Sequence, residues 1–344
     1  MCIRDRDEIR AMALNIYMEQ SAVRDGVTAE EVKGILLGMA SGQETLLGYF
    51  RRFIRNFEKR VGINRTVGSL RAYSNAYSHI ERFLQAQYKL SDIPFSALDR
   101  SFIDKYDLYL RTERNLAPGT IINLTVQLKT IVGEAIADGI ITASPFMGYE
   151  PVRPKHVQKY LTAEELHRIM TTPLHRQPLY HVRDMFLFSC FTGIPYGDMR
   201  LLTKDNLCLA EDGIWWIKSA RQKTKIEFEI PLLDLPLQIL KKYSGTAPGD
   251  KLLPMYCNST LNLYLKEIAR ICHIDRPLVF HAGRHTYATE ITLSHGVPLE
   301  TVSRMLGHSQ IETTQIYAKV TDEKIDADTK ALNRKISERF SVVI

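Results

Sequence analysis

His281, Arg284, His308 and Tyr317 have types and spacing suited to phosphoryl chemistry. His281-Ala282-Gly283-Arg284 puts a histidine and an arginine three residues apart on one face of a helix, where a capping histidine and a surface salt bridge would ordinarily account for both. Leu306-Gly307-His308, with a tyrosine nine residues beyond the histidine, makes that reading insufficient. A phenol oxygen can attack phosphorus and later leave it, so one side chain can open and reseal a phosphodiester without hydrolysis. Its ordinary pKa of about 10 leaves little phenolate at neutral pH, and a proton acceptor and cations must therefore surround it. His281 and Arg284 supply them. The planar guanidinium of Arg284 suits two non-bridging phosphate oxygens, whose charge grows in the transition state, and His308 can donate a further hydrogen bond.

Residues 155–320 resemble the catalytic domain of the tyrosine recombinases, the phage-integrase family. The run Leu306-Gly307-His308-Ser309-Gln310-Ile311-Glu312-Thr313-Thr314-Gln315-Ile316-Tyr317 matches that family's most specific motif almost letter by letter, and the helical segment upstream resembles its core-binding domain. The whole is similar to integrases of Bacteroidetes mobile elements. The resemblance implies a site-specific recombinase that cuts and rejoins double-stranded DNA through a 3′-phosphotyrosyl link to Tyr317, integrating or excising a mobile element. It implies a lysine that protonates the departing 5′ hydroxyl. Lys223, in Ala220-Arg221-Gln222-Lys223-Thr224-Lys225, lies between two predicted strands where the family places that lysine, with Lys225 its rival. It also implies a homotetramer on paired DNA sites, monomeric when free and docking through a C-terminal segment. Residues 322–344, ending Phe340-Ser341-Val342-Val343-Ile344, are an apolar-tipped tail of that kind. Type IB topoisomerase-like relaxation, or a DNA-binding accessory protein that has lost catalysis, are the alternatives.

One position departs from the family pattern. Its first arginine follows a Thr-Gly-apolar turn and precedes an acidic residue by three; here Thr192-Gly193-Ile194 leads into Pro195, with Asp198 three residues on. Proline cannot bind a phosphate, and losing one charge-assisted contact costs ~1.5–3 kcal/mol unless another cation substitutes. Arg183 is the expected substitute. It falls on the stripe Leu179, Arg183, Phe186, Cys190, and an arginine on an apolar stripe needs an anion, either the DNA phosphate or Asp198. Arg200 is next in line.

The elements that must position these groups are legible in the apolar spacing. Leu47, Phe50, Ile54 and Phe57, then Leu70, Tyr73, Tyr77, Ile80 and Phe83, recur at helical intervals, and 101–111 and 120–136 supply two more helices. The stretch 145–159, with three prolines, reads as a linker. Thr162 and Glu165 form a capping box, and a helix from about Pro178 ends at Thr192-Gly193. Strands are expected at 207–209, 213–218 and 226–231, the last alternating Ile, Glu, Phe, Glu, Ile, with helices from 235 onward. The expected fold is mainly α with a small antiparallel sheet (α+β). Residues 1–43 are an N-terminal remnant or linker, 44–151 a helical core-binding (SAM-like) domain and 152–344 the catalytic domain. The first six residues look like an assembly scar, so the natural protein is expected to be longer at its N-terminus.

Composition sets the outer limits. The chain has 344 residues, 45% hydrophobic and 24% charged, a globular balance that excludes a mainly disordered or fibrous protein and suits two domains. Its net charge is +6, and the excess is concentrated in 44–160, which holds 17 basic and 11 acidic residues, as a phosphate-contacting module would. No apolar run is long enough to span a bilayer and no secretory pattern opens the chain, so a cytoplasmic protein is expected. The five cysteines include no CxxC pair, and His281 and His285 lack the glutamate and third ligand of a zinc site, so no metal is expected. No GxxxxGK[ST] loop is present, and no cofactor is implied.

Overall fold

The computed structural model describes residues 10, 13–18, 21, 27, 29, 32, 44–153, 159–317 and 322–336. The chain divides into two units, Met1–His156 and Val157–Ile344.

The first unit is built on four helices, α1 (Leu46–Glu58), α2 (Val67–Phe83), α3 (Arg100–Thr112) and α4 (Pro118–Ala137). Each begins where the sequence supplies a start. Asp92 accepts from the Leu47 and Gly48 amides at 2.8 and 3.0 Å, Thr66 from Ser69 at 3.2 Å, Asp99 from Phe102 at 2.7 Å, and Pro118 opens α4. The core is aromatic: Phe83 meets Phe102, Tyr106 and Tyr109 with ring centroids 5.1–5.3 Å apart. On the other side of α1, Arg51, Arg52 and Arg55 are exposed, followed by Lys59, Arg60 and Arg65.

The expected linker begins too early. Phe146 is buried, Tyr149 donates to Asp107 at 2.7 Å, and Arg100 donates to the Met147 carbonyl at 2.9 Å. The prolines that suggest a linker flank a turn whose two aromatic rings complete the helical core, so this unit extends at least to Tyr149. Most of 1–43 and the tail from 337 lie outside the described residues; Ile16 and Val32 pack with Leu90.

The second unit centres on α6 (Gln177–Thr192), whose preceding helix α5 (Ala163–Thr171) starts at the Thr162–Glu165 capping box. Leu179, Val182, Met185, Phe186, Phe188 and Cys190 are all fully buried, so α6 is covered on every side, as a central helix must be. After the short α7 (Tyr196–Met199) come β1 (Leu207–Leu209), β2 (Trp215–Ala220) and β3 (Glu227–Pro231), an antiparallel sheet in that order. Ile217 pairs with Leu207 on one side and Ile230 on the other. Phe228 and Ile230 turn inward and Glu227 and Glu229 outward, as the alternation requires. Helices α8 (Asp234–Lys242), α9 (Asn258–Ile271) and α10 (Ala282–Thr286) pack on α6. The π-turn Tyr287–Thr292 continues α10, and α11 (Leu299–Leu306), α12 (Glu312–Gln315) and α13 (Asp322–Ile336) follow.

Candidate active site

Two glycine-terminated helix ends build the site. α6 stops at Gly193, whose φ of +68° suits only a residue without Cβ; an added Cβ would lie 2.4 Å from the Tyr287 ring. α11 stops at Gly307, φ +64°, and there an added Cβ would lie 2.9 Å from Arg221 Cγ. The last carbonyls of a helix lack amide partners and carry the negative end of its dipole, so they attract cations. Arg284 uses both ends: Nη1 donates to the Gly193 carbonyl at 2.9 Å and Nη2 to the Leu306 carbonyl at 2.7 Å.

A second guanidinium shares one of these anchors. Arg221, the first residue after β2, donates from Nη1 to the same Leu306 carbonyl at 3.0 Å and sets Nε 2.7 Å from Asp198 Oδ2. Asp198, 5% exposed, also accepts from the Gln222 amide at 2.9 Å. Its Oδ2 and Arg221 Nε form a buried ion pair without a linear hydrogen bond. Burial and the charge of Arg221 lower the Arg284 pKa to about 10, which leaves it cationic at neutral pH. Two guanidiniums against a single carboxylate form a site ready for an anion.

Tyr317 is buried beside them, 7% exposed. Its ring lies parallel to that of His308, 6.3 Å between centroids, and His285 meets it edge-on at 5.1 Å. Burial raises the phenol pKa, while the charge of Arg284, its hydrogen bonding and the charge of Arg221 pull it back down. His308 is spanned by Arg284 Nη2, 2.9 Å from Nε2, and by Thr314 Oγ1, 2.7 Å from Nδ1. Toward Arg284 the imidazole accepts, because a guanidinium has only hydrogens to offer. His281 stands at the exposed start of α10, 4.9 Å from the His285 ring. Lys223 and Lys225 are exposed on the β2–β3 hairpin, Lys225 in the left-handed region at φ 59°.

Arg183 is not brought to this cluster. Its guanidinium lies over the Tyr180 ring at 4.8 Å, donates to the Met170 carbonyl at 3.3 Å near the end of α5, and sits 3.7 Å from Asp184. Ten residues, about 15 Å of helix, separate it from Gly193. Asp198 is not its partner, because Arg221 takes that carboxylate. The apolar stripe misled because an arginine can extend its stem along such a stripe and end on a neighbouring helix's free carbonyls. Arg200 is exposed at the end of α7. Arg221, Thr314 and the contact of His285 with Tyr317 were missed. One signal for Arg221 was available: with an aliphatic ring at position 195, Asp198 needed a cation from elsewhere.

The histidines give a measurable signature. Burial and then neighbouring cations lower the pKa of His281, that of His308 to about 4 and that of His285, where His281 also contributes, to about 4. An unfolded histidine titrates near 6.5, so the unfolded chain binds more protons between about 6.5 and 4 and stability falls as pH drops through that window. Melting of the DNA-free protein should show Tm declining across it, with a shallower decline for His285→Phe.

The described residues contain no group of three metal-ligating side chains and no helix long and apolar enough to cross a membrane. The phage integrase family matches residues 159–324 and the phage integrase SAM-like domain residues 45–151. The chain is similar to tyrosine recombinase XerD of Listeria monocytogenes serovar 1/2a, 26% identical over 273 residues, covering 74% of this chain and 89% of that protein. Tyrosine recombinase XerD of Staphylococcus saprophyticus is 26% identical over 297 residues, covering 82% and 96%. Among solved structures, the Tn1549 transposon integrase in complex with transposon right end DNA superposes with a TM-score of 0.65 at 18% identity, covering 84% of this chain and 99% of that one. A λ integrase dimer bound to a COC′ core site gives 0.65 at 18%, covering 81% and 100%. These two share the fold.

Proposed function

The chain belongs to the phage integrase family of tyrosine recombinases, and from that premise we propose that it cuts and rejoins double-stranded DNA at specific sites through a transient phosphotyrosine at Tyr317. The observation that carries the reading is the pair of guanidiniums sharing the Leu306 carbonyl beside a buried tyrosine. Arg284 and Arg221 grip the non-bridging oxygens of the scissile phosphate and stabilise the charge that develops on them. The Tyr317 oxygen attacks phosphorus, and its proton passes to an imidazole at the site, for which His281, its pKa lowered by burial and neighbouring cations, is the assigned acceptor. The bond to the 5′ oxygen breaks, and Lys223 gives that oxygen its proton. The phosphotyrosine keeps the energy of the broken bond, so the reverse steps rejoin the strand without another energy source. Tyr317 lies against Arg284 of its own chain, an arrangement suited to cleavage within a protomer.

Residues 44–151 form the core-binding domain and 152–344 the catalytic domain. The arginines exposed on α1, with Lys59, Arg60 and Arg65, give the first of these a basic face for the DNA backbone. Free protein is a cytoplasmic monomer; four protomers assemble on two paired sites, and the reaction integrates or excises a mobile element. A nicked duplex carrying a binding site selected by the purified protein tests the reading, because loss of the short flanking strand traps the covalent adduct. On that substrate Lys223→Ala should slow cleavage at a 5′ oxygen by roughly 10²-fold or more, and a 5′-bridging sulfur should restore it, since a thiolate leaves without a proton. Equal defects on both substrates would assign Lys223 to positioning, and sulfur rescue of Lys225→Ala would give the role to Lys225.

A further inference from the structure

The first unit holds a cleft of its own, about 400 Å³, lined by α1, α4 and the turn that joins α1 to α2. That is the size of a small-ligand site. Aromatic rings form part of its lining: Phe53 and Phe57 each meet the Tyr73 ring with centroids 5.0 Å apart. Phe53 and Tyr73 are only half-buried, so flat apolar surface stays open to the cleft.

The polar lining carries both signs of charge. The turn supplies Arg60 and Arg65, and the end of α4 supplies Glu134 and Asp138, one helical turn apart. The neighbouring Arg52 is already paired, 2.7 Å from Glu44. Arg60 and Arg65 are not: Arg60 Nε donates to Asn64 at 3.2 Å and Arg65 lies over the Phe57 ring at 5.3 Å, and no ion pair among the described residues joins either to a carboxylate. Asp138 accepts from the Tyr49 hydroxyl at 2.7 Å, and Glu134 has no side-chain partner among the described residues. Like charges one turn apart on a helix repel, so the two carboxylates gain from a donor brought between them. The turn is fixed by its own backbone, the Gly62 amide donating to the Arg65 carbonyl at 3.0 Å and the Arg65 amide to the Arg60 carbonyl at 3.1 Å. Opposite charges that line one cleft without closing on each other leave a place for a ligand that bridges them.

We propose that this cleft binds a guanine nucleotide. Guanine has two adjacent donors, N1–H and the N2 amine, that match a carboxylate, and two adjacent acceptors, O6 and N7, that match a guanidinium. Adenine, cytosine and thymine each lack at least one of these pairs. Glu134 takes the donor edge, one of Arg60 and Arg65 takes the acceptor edge and the other the phosphate, and the aromatic lining takes a face of the base. A free nucleotide and a guanine turned out of DNA present the same chemistry, and Arg60 and Arg65 belong to the basic face that meets the DNA backbone. Binding here uses neither Tyr317 nor cleavage, so it stands apart from the strand-transfer reading.

Calorimetric titration of the full-length protein with guanosine and adenosine 5′-monophosphates, without DNA, reads the free-nucleotide case. The guanosine nucleotide should bind about tenfold tighter or better, the discrimination that one two-pronged base contact supplies. Glu134→Gln replaces an acceptor with a donor and should remove that preference, while Arg60→Gln combined with Arg65→Gln should weaken both nucleotides. Melts check that each variant is folded. For guanine in DNA, 2-aminopurine is placed beside each guanine of a selected site duplex. Its emission should rise beside one guanine when the protein binds, and should stay low when inosine, which lacks the N2 amine, replaces that guanine or when the protein is Glu134→Gln. A guanosine preference lost in Glu134→Gln supports the proposal with a free nucleotide as ligand, and guanine-dependent emission without nucleotide binding supports it with a DNA base. Absence of both signals, or a guanine preference that Glu134→Gln leaves intact, overturns it.

Discussion

A Tyr317→Phe protein is expected to form no covalent link to a nicked site duplex while binding that duplex within about twofold of wild type, because phosphate contacts dominate affinity and none is removed. The substitution deletes one oxygen and keeps the ring. The parallel contact with His308 and the edge contact with His285 are ring contacts, so the site keeps its packing and the variant should melt near the wild-type temperature. The Tyr317 hydroxyl is the one set against Arg284 among the described residues. Gel shift and denaturing electrophoresis read the two quantities separately. An adduct on the Phe variant would move the nucleophile to another of the sixteen tyrosines.

Arg221→Ala carries the second large effect, a fall in cleavage of roughly 10²–10³-fold, the cost of removing one group that stabilises transition-state charge. DNA affinity should change much less, since a contact that strengthens in the transition state acts on the chemical rate. Truncation also leaves Asp198 buried without its cation, which costs ~3–5 kcal/mol of stability and would blur the result. Arg221→Ala combined with Asp198→Asn removes the stranded charge, and the double variant should regain thermal stability without regaining cleavage. Arg221→Lys keeps the charge but not the two-pronged geometry and should fall between. Arg183→Ala, remote from the cluster, should cleave at close to the wild-type rate; a large defect there with Arg221→Ala unaffected would reverse the assignment.

The contrast between these two arginines marks where the sequence was readable. Arg284, His308 and Tyr317 lie within 34 residues on elements whose starts and stops are written locally, and the structure draws them together as that spacing demands. The strand boundaries around Lys223 and the glycine stops at Gly193 and Gly307 were equally local. Arg221 was not. Its meaning depends on Asp198, 23 residues before it, and on a helix-end carbonyl 85 residues after it, contacts that no periodicity encodes. Arg183 satisfied a local rule and lost to geometry, because helical rise alone carries it away from the site. The turn at Phe146 and Tyr149 failed for a related reason, since proline spacing says loop and cannot say that two rings in the loop fill a core.

The most direct test of the central claim is to trap the adduct on a nicked site duplex, digest protein and DNA, and locate the attached nucleotide by mass spectrometry. The account predicts a 3′-phosphate nucleotide on the peptide carrying Tyr317, formed by wild type, strongly reduced in Arg221→Ala and Arg284→Ala, and absent from Tyr317→Phe. A nucleotide on any other side chain, or a 5′-phosphate at Tyr317, would contradict it.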